Sequence, residues 1–160
     1  MELRLLQHRE GGFVPLLKLY TLPDHRFDYR RYYVAASMKP MMAAGLMALA
    51  KPYLKEYAQI LDPFCGVGTL LMERRFAVPA RNAYGIDTFG EAIEKARVNS
   101  KIAGMQTNYI NRDYFDFVHD YKFDEIVTDL PAGNLSKPEL DDLYRRFLKN
   151  PMKCWQRMVV

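Results

Sequence analysis

From Gln59 onward, short apolar runs alternate with segments of helical periodicity, and that alternation organises the chain. Runs bounded by turn residues predict strands at Gln59–Pro63, Ala83–Asp87, Asn108–Asn111 and Asp124–Asp129. Between them the spacing predicts helices over Thr69–Ala77 and Gly90–Ala103, with Gly104 as a left-handed C-terminal cap of the second. A last helix opens on Ser136-Lys137-Pro138-Glu139, a capping-box pattern, and sets Leu140, Leu143, Tyr144, Phe147 and Leu148 along one face. Strands alternating with helices imply a doubly wound, mostly parallel α/β sheet covered on both sides. Ahead of it, residues 1–50 form a lead-in segment with a short strand at Leu16–Thr21 and a helix over Pro40–Ala50. That helix is apolar on all sides, which predicts burial. At the other end, Trp155-Gln156-Arg157-Met158-Val159-Val160 reads as a buried strand just beginning. Residues 51–160 are therefore expected to form a sheet cut short before its closing edge strands.

Composition narrows the class. Of 160 residues, 49% are hydrophobic and 26% charged, as in a globular protein of one domain. No apolar run approaches the roughly 18 residues needed to cross a bilayer. The start, MELRLLQHRE, lacks the basic-then-apolar order of a secretory signal, so no membrane partner and a cytoplasmic setting are expected. Cys65 and Cys154 are too few for a disulfide framework and have no paired spacing for a metal site. A net charge of +4 and a pI near 9.0 lean toward polyanionic partners. From Leu143 to Val160 stand Arg145, Arg146, Lys149, Lys153 and Arg157 with no acid. His25, Arg26, Arg30, Arg31 and Lys39 are interleaved with Phe27, Tyr29, Tyr32 and Tyr33. That mixture either grips phosphates and offers rings to bases, or is a solvated basic face whose rings are core.

In a doubly wound sheet, ligands lie across the carboxyl ends of the strands. The first of the four strands runs into Asp62-Pro63-Phe64-Cys65-Gly66-Val67-Gly68-Thr69, where two glycines allow a sharp turn and close approach to a ligand, ahead of a helix start with free N–H groups. Asp87 ends the next strand, and positions 66 and 87 lie 21 apart, close to the roughly 20 expected of an acid that accepts ribose hydroxyls. Asp113 follows the third strand, where an adenine amino group could be read, and Asp129 the fourth. Bulky Leu71 stands where a pyrophosphate loop wants Gly or Ala, and Asp62 would repel phosphates. The same carboxylate suits a cationic sulfonium with an amino group, which favours S-adenosylmethionine over a nicotinamide dinucleotide.

Three segments, DPFCGVGTLLME at Asp62–Glu73, YGID at Tyr84–Asp87 and TDLPAG at Thr128–Gly133, resemble class I S-adenosylmethionine-dependent methyltransferases of Rossmann-like fold. They look most like the THUMP-associated RNA guanine-N2 methyltransferases acting on tRNA or rRNA, as does the lead-in Ala36-Ser37-Met38-Lys39-Pro40. The resemblance implies that Asp62, Phe64, Cys65 and Gly66 contact the methionine part of the cofactor, and that Gly68, Thr69, Thr88 and Asp129 are also cofactor-binding. It assigns Asp87 to the ribose hydroxyls, and Asp113 with the backbone of Tyr114 to adenine. Asp129, Leu130 and Pro131 match the acid-proline motif, which holds the target amino group. The family carries Phe or Tyr at the next position, where its ring stacks on the base, and this chain has Ala132. A stacked base is worth about 1–3 kcal/mol. The family also continues beyond the fifth strand and carries an RNA-binding domain ahead of the core, so the chain is expected to be a truncated catalytic domain. Its expected partner is RNA, with self-association through the C-terminal strand. Two other readings stay open: an adenine-N6 DNA methyltransferase, which uses the same acid-proline logic, and a cofactor- or RNA-binding module without turnover.

Overall fold

The computed structural model describes residues 2–19, 25–120, 122–132 and 135–149. A hairpin of β1 (Glu2–Gln7) and β2 (Phe13–Lys18) comes first, then helix α1 (Pro40–Ala50). The main unit follows as β3 (Ala58–Asp62), α2 (Thr69–Ala77), β4 (Ala80–Asp87), α3 (Gly90–Ile102), β5 (Asn108–Asn111), β6 (Glu125–Ile126) and α4 (Lys137–Lys149). The four strands of the main sheet are all parallel and lie in the order β5-β4-β3-β6. Chain order thus reverses between β3 and β6, which makes their carboxyl ends a topological switch point.

The pleat explains the core. Every residue of β3 is buried, and its side chains alternate between the two faces. Ile60 packs with Leu71, Ala83, Ile93 and Ala96, under α2 and α3. Leu61 packs with Ile86, Phe123, Ile126 and Phe147, under α4. A third cluster, Ala43, Met47, Leu70 and Val127, seats α1 beside α2. Arg74 of α2 is wholly buried, with its guanidinium 2.8 Å from the equally buried Glu125 of β6. It also donates to the carbonyls of Val78 and Lys55, and the other Glu125 oxygen accepts from the Lys55 amide.

Several expectations change. The α1 boundaries hold, but the helix is largely exposed: only Ala43 and Met47 are buried, while Met41 and Leu49 stand 71% and 78% exposed. A helix apolar on every side packs here along one stripe only, against Leu70 of α2 and Val127, and the rest faces out. The early strand lies at Phe13–Lys18 rather than Leu16–Thr21, and its partner Glu2–Gln7 had no sequence signal because neither hairpin strand alternates cleanly. The strand expected over Asp124–Asp129 is shorter, at Glu125–Ile126, with the Asp124 and Val127 amides also bonded to β3 carbonyls, and Thr128 and Asp129 lie in the loop that follows. The helix expected to open on the capping box does so: both the Ser136 amide and hydroxyl donate to Glu139, at 2.8 and 2.6 Å. The strand expected at Trp155–Val160, with Cys154, lies outside the described residues, as do Gly133 and Thr21.

Candidate active site

A cavity of about 790 Å³ opens across the carboxyl ends of the sheet, within the usual range for small-ligand sites. Asp62 and Asp87, the last residues of β3 and β4, and Asp113 and Asp129, in the loops after β5 and β6, all line it. Phe64, Cys65, Gly66, Thr69, Thr88, Tyr114, Leu130 and Pro131 line it as well. None of the four aspartates forms an ion pair with a described residue.

Each carboxylate is set by its loop. Asp62 is 1% exposed, and its Oδ1 accepts from the Phe64 amide at 3.1 Å and from the Thr128 hydroxyl at 2.7 Å. The second bond crosses the switch point and ties the loop after β3 to the loop that carries Asp129. Burial pushes Asp62 up to about 7, against the pull of these two bonds, and the neighbouring Asp87 and Asp129 add to the rise. Asp87 accepts from the Gly66 amide at 2.8 Å and, through its other oxygen, from the Phe89 amide at 2.8 Å. It therefore holds the glycine loop from the neighbouring strand. Each of its oxygens keeps lone-pair capacity for a further donor such as a sugar hydroxyl. Asp113 caps the short turn Tyr114–Asp116 by accepting from the Phe115 amide at 2.9 Å, and Tyr114 packs beneath in the core. Cys65 is buried, and desolvation raises its thiol well above the ordinary range, so it is no activated nucleophile.

Residues 28–160 match the RMKL-like methyltransferase domain. The chain belongs to that family. Among proteins of this kind it is 32% identical, over 145 residues, to a tRNA (guanine(10)-N2)-dimethyltransferase of Methanothermobacter thermautotrophicus, covering 85% of this chain and 42% of that protein. A protein of the same description from Pyrococcus abyssi is 27% identical over 139 residues, covering 79% of this chain and 39% of its own length. The chain thus spans about two fifths of these curated relatives. In fold it matches the crystal structure of TrmN from Thermus thermophilus, with a TM-score of 0.71 at 24% identity over 96% of this chain and 46% of that one.

Within this methyltransferase domain one expected residue stands apart from the cavity. Gly68 does not line it. With φ at +77° it is the left-handed residue that precedes α2, and a Cβ there would lie 2.2 Å from the Tyr109 hydroxyl. Its part is to let the loop close over β5. Other lining residues were not assigned to the site from the sequence, although Arg146 belongs to the C-terminal basic cluster and Ala36–Met38 to the lead-in that resembles the family. Arg112 and Phe115 lie beside Asp113, and Leu143 and Arg146 come from α4, the Arg146 guanidinium sitting 4.0 Å above the Phe115 ring. The lead-in contributes Val34, Ala36, Ser37 and Met38.

The basic and aromatic segment before α1 divides between its two readings. Tyr29 is core and donates to Glu73, and Arg30 braces the lead-in by bonding Thr69 at 3.2 Å and the Met38 carbonyl at 3.0 Å. Tyr32 and Tyr33 are exposed. A smaller apolar cavity of about 390 Å³ adjoins the first and shares Met38, Leu70 and Asp129 with it; Tyr53 lies on its wall. Among the described residues, no group of three or more His, Cys, Asp or Glu side chains is arranged to hold a metal ion, and no helix is long and apolar enough to cross a membrane.

Proposed function

We propose that this domain binds S-adenosylmethionine in the larger cavity and methylates an exocyclic base nitrogen, guanine N2, of tRNA or rRNA. The observation that carries the reading is the meeting of four strand-end aspartates, Asp62, Asp87, Asp113 and Asp129, around one cavity. The donor set fits the cofactor. Asp62 would face its amino and sulfonium charge, Asp87 its ribose hydroxyls and Asp113 its adenine amine. A carboxylate held near neutrality by burial gains most from a cationic ligand, because the ligand offsets the charge that burial penalises.

When bound, the cofactor supplies an electrophilic methyl group on a sulfonium and leaves as a neutral thioether. The guanine amine is a poor nucleophile, because its lone pair is delocalised into the ring. Asp129 and the Leu130 carbonyl would accept its two N–H bonds, hold it in line and offset the positive charge that develops at nitrogen, and the Asp129 carboxylate would take the proton that the amine releases as the new N–C bond forms. Pro131 keeps that turn rigid. The adjoining apolar cavity gives an unpaired base a surface, and Tyr53 on its wall offers the ring that Ala132 does not.

Tritiated methyl transfer to tRNA, rRNA and DNA tests the reading. Transfer to RNA, lost by about 10²–10³ in rate on Asp129→Ala, supports it. Transfer to DNA adenine alone overturns the acceptor, and cofactor binding without transfer to any substrate assigns a binding module, the reading that Ala132 favours. RNA as acceptor goes with a cytoplasmic location, checked by imaging a tagged chain. Self-association rests on the apolar sequence of Trp155–Val160 and is read by light scattering.

A further inference from the structure

At the opposite end of the sheet from the aspartates lies a second polar cavity, of about 590 Å³. It collects residues far apart in sequence: Arg75 from the last turn of α2, Arg81 from the start of β4, and Arg97 and Lys101 from the end of α3. Asn82, Gln106, Thr107 and Asn108 complete a wall of neutral hydrogen-bonding groups, and none of the described lining residues is acidic.

The bland account is that Arg75, Arg97 and Lys101 offset the negative carboxyl ends of two helices. Magnitudes decide against it as the whole explanation. Each helix end carries about half a negative charge, so two ends balance about one cation, Glu94 pairs with Arg97, and a surplus of about two remains. Nor are the cations used up internally. Arg97 is shared between Glu94 and the Tyr109 carbonyl, and Arg75 donates one nitrogen to the Gln106 carbonyl and the Thr107 hydroxyl. Arg75 is partly buried with no carboxylate partner among the described residues, and desolvation lowers its pKa. The Arg81 and Lys101 side chains form no ion pair or hydrogen bond with the described residues. A concave, polar, acid-free wall carrying two unengaged cations and a half-desolvated guanidinium has the chemistry of a phosphate site.

We infer that this cavity binds backbone phosphates of the RNA substrate, as a contact separate from the methyl-transfer cavity. The inference rests on the functional reading above in taking RNA as the polyanion. Geometry allows one molecule to reach both places. From Arg81 to Asp87 is six residues of β4, or about 20 Å at about 3.3 Å per residue, a span that one face of a folded RNA covers. Contact with phosphates alone would position the RNA without reading its sequence.

The test uses the full chain and bulk tRNA. Arg81→Ala/Lys101→Ala removes two exposed, unbonded cations and leaves the core intact. Lys18→Ala/Lys122→Ala, also exposed, is the charge-matched control. On the counterion-release slope, each single-strand phosphate contact is worth about fivefold at 0.1 M salt, so two are worth about 25-fold, and the slope of log affinity against log salt should flatten by about 1.4. The inference stands if the Arg81/Lys101 pair shows this loss while the control stays within about twofold of the parent and S-adenosylmethionine affinity is unchanged. It is overturned if both pairs lose affinity equally, if neither does, if the parent binds no RNA, or if inorganic pyrophosphate binds the cavity without competing with RNA. Titration with S-adenosylmethionine and the methyl-transfer assay judge the functional reading separately. A parent that transfers methyl groups while the Arg81/Lys101 pair binds RNA normally refutes the phosphate site alone.

Discussion

Replacing Asp62 with Asn should stabilise the protein above neutral pH and weaken its hold on the cofactor. In the folded state, burial keeps the Asp62 proton up to about 7, whereas the unfolded chain releases it near the ordinary value of 3.8. Between those values the native state binds more protons than the unfolded state, so the Asp62 contribution to stability falls as pH rises across that window. Below 3.8 both states are protonated and nothing is lost. Above about 7 both are ionised, and the full gap, at about 1.36 kcal/mol per pH unit, costs about 4 kcal/mol. An Asn at 62 cannot ionise, and its Oδ1 still accepts from Phe64 and Thr128. Urea denaturation of parent and D62N from pH 4 to 9 should give curves that separate progressively, with the variant gaining a few kcal/mol by pH 8. Calorimetry should meanwhile show weaker S-adenosylmethionine binding, and proton release when the parent binds near pH 6. A stability difference that is constant with pH would refute the assignment of a near-neutral Asp62.

Three other outcomes follow from contacts already described. Asp87→Ala should weaken S-adenosylmethionine binding by about 1.5–3 kcal/mol, the worth of a hydrogen bond to a charged group, and isothermal titration reads it directly. Gly68→Ala should cost about 3 kcal/mol in denaturant unfolding, because it combines a left-handed φ with a methyl group driven into the Tyr109 hydroxyl. Arg74→Met should cost about 3–5 kcal/mol, since Glu125 would be left charged and buried without its partner, and the Arg74→Met/Glu125→Leu double variant should recover most of that loss.

Strand ends were the most legible part of the site. A carboxylate placed where an apolar run stops needs only one-dimensional information, and Asp62, Asp87, Asp113 and Asp129 all line the cavity. Helix boundaries were legible for the same local reason: Thr69–Ala77 and Pro40–Ala50 match residue for residue. What a helix packs against is not local, and so the apolar α1 gave no sign that most of it would face outward. Arg74 and Glu125 look like ordinary surface charges in sequence, because a buried ion pair depends on two elements 51 residues apart meeting in space. The basic cavity was illegible for that reason too. Its cations come from α2, β4 and α3, none of them a charge run. Gly68 was read from its motif as a ligand contact, and only the Tyr109 ring behind it shows that its lack of a side chain serves packing.

The Arg74–Glu125 pair also bears on how this domain can change over generations. Starting from an ion pair, any single replacement that removes one charge passes through a form with one buried, unpaired charge, at a cost comparable to much of a small domain's total stability. Drift at either position alone is therefore blocked, although a fully apolar pair would serve equally well. Positions 74 and 125 should change together across related sequences or not at all, so that an alignment would show them as a coupled pair joining the glycine-loop helix to the strand before the acid-proline turn.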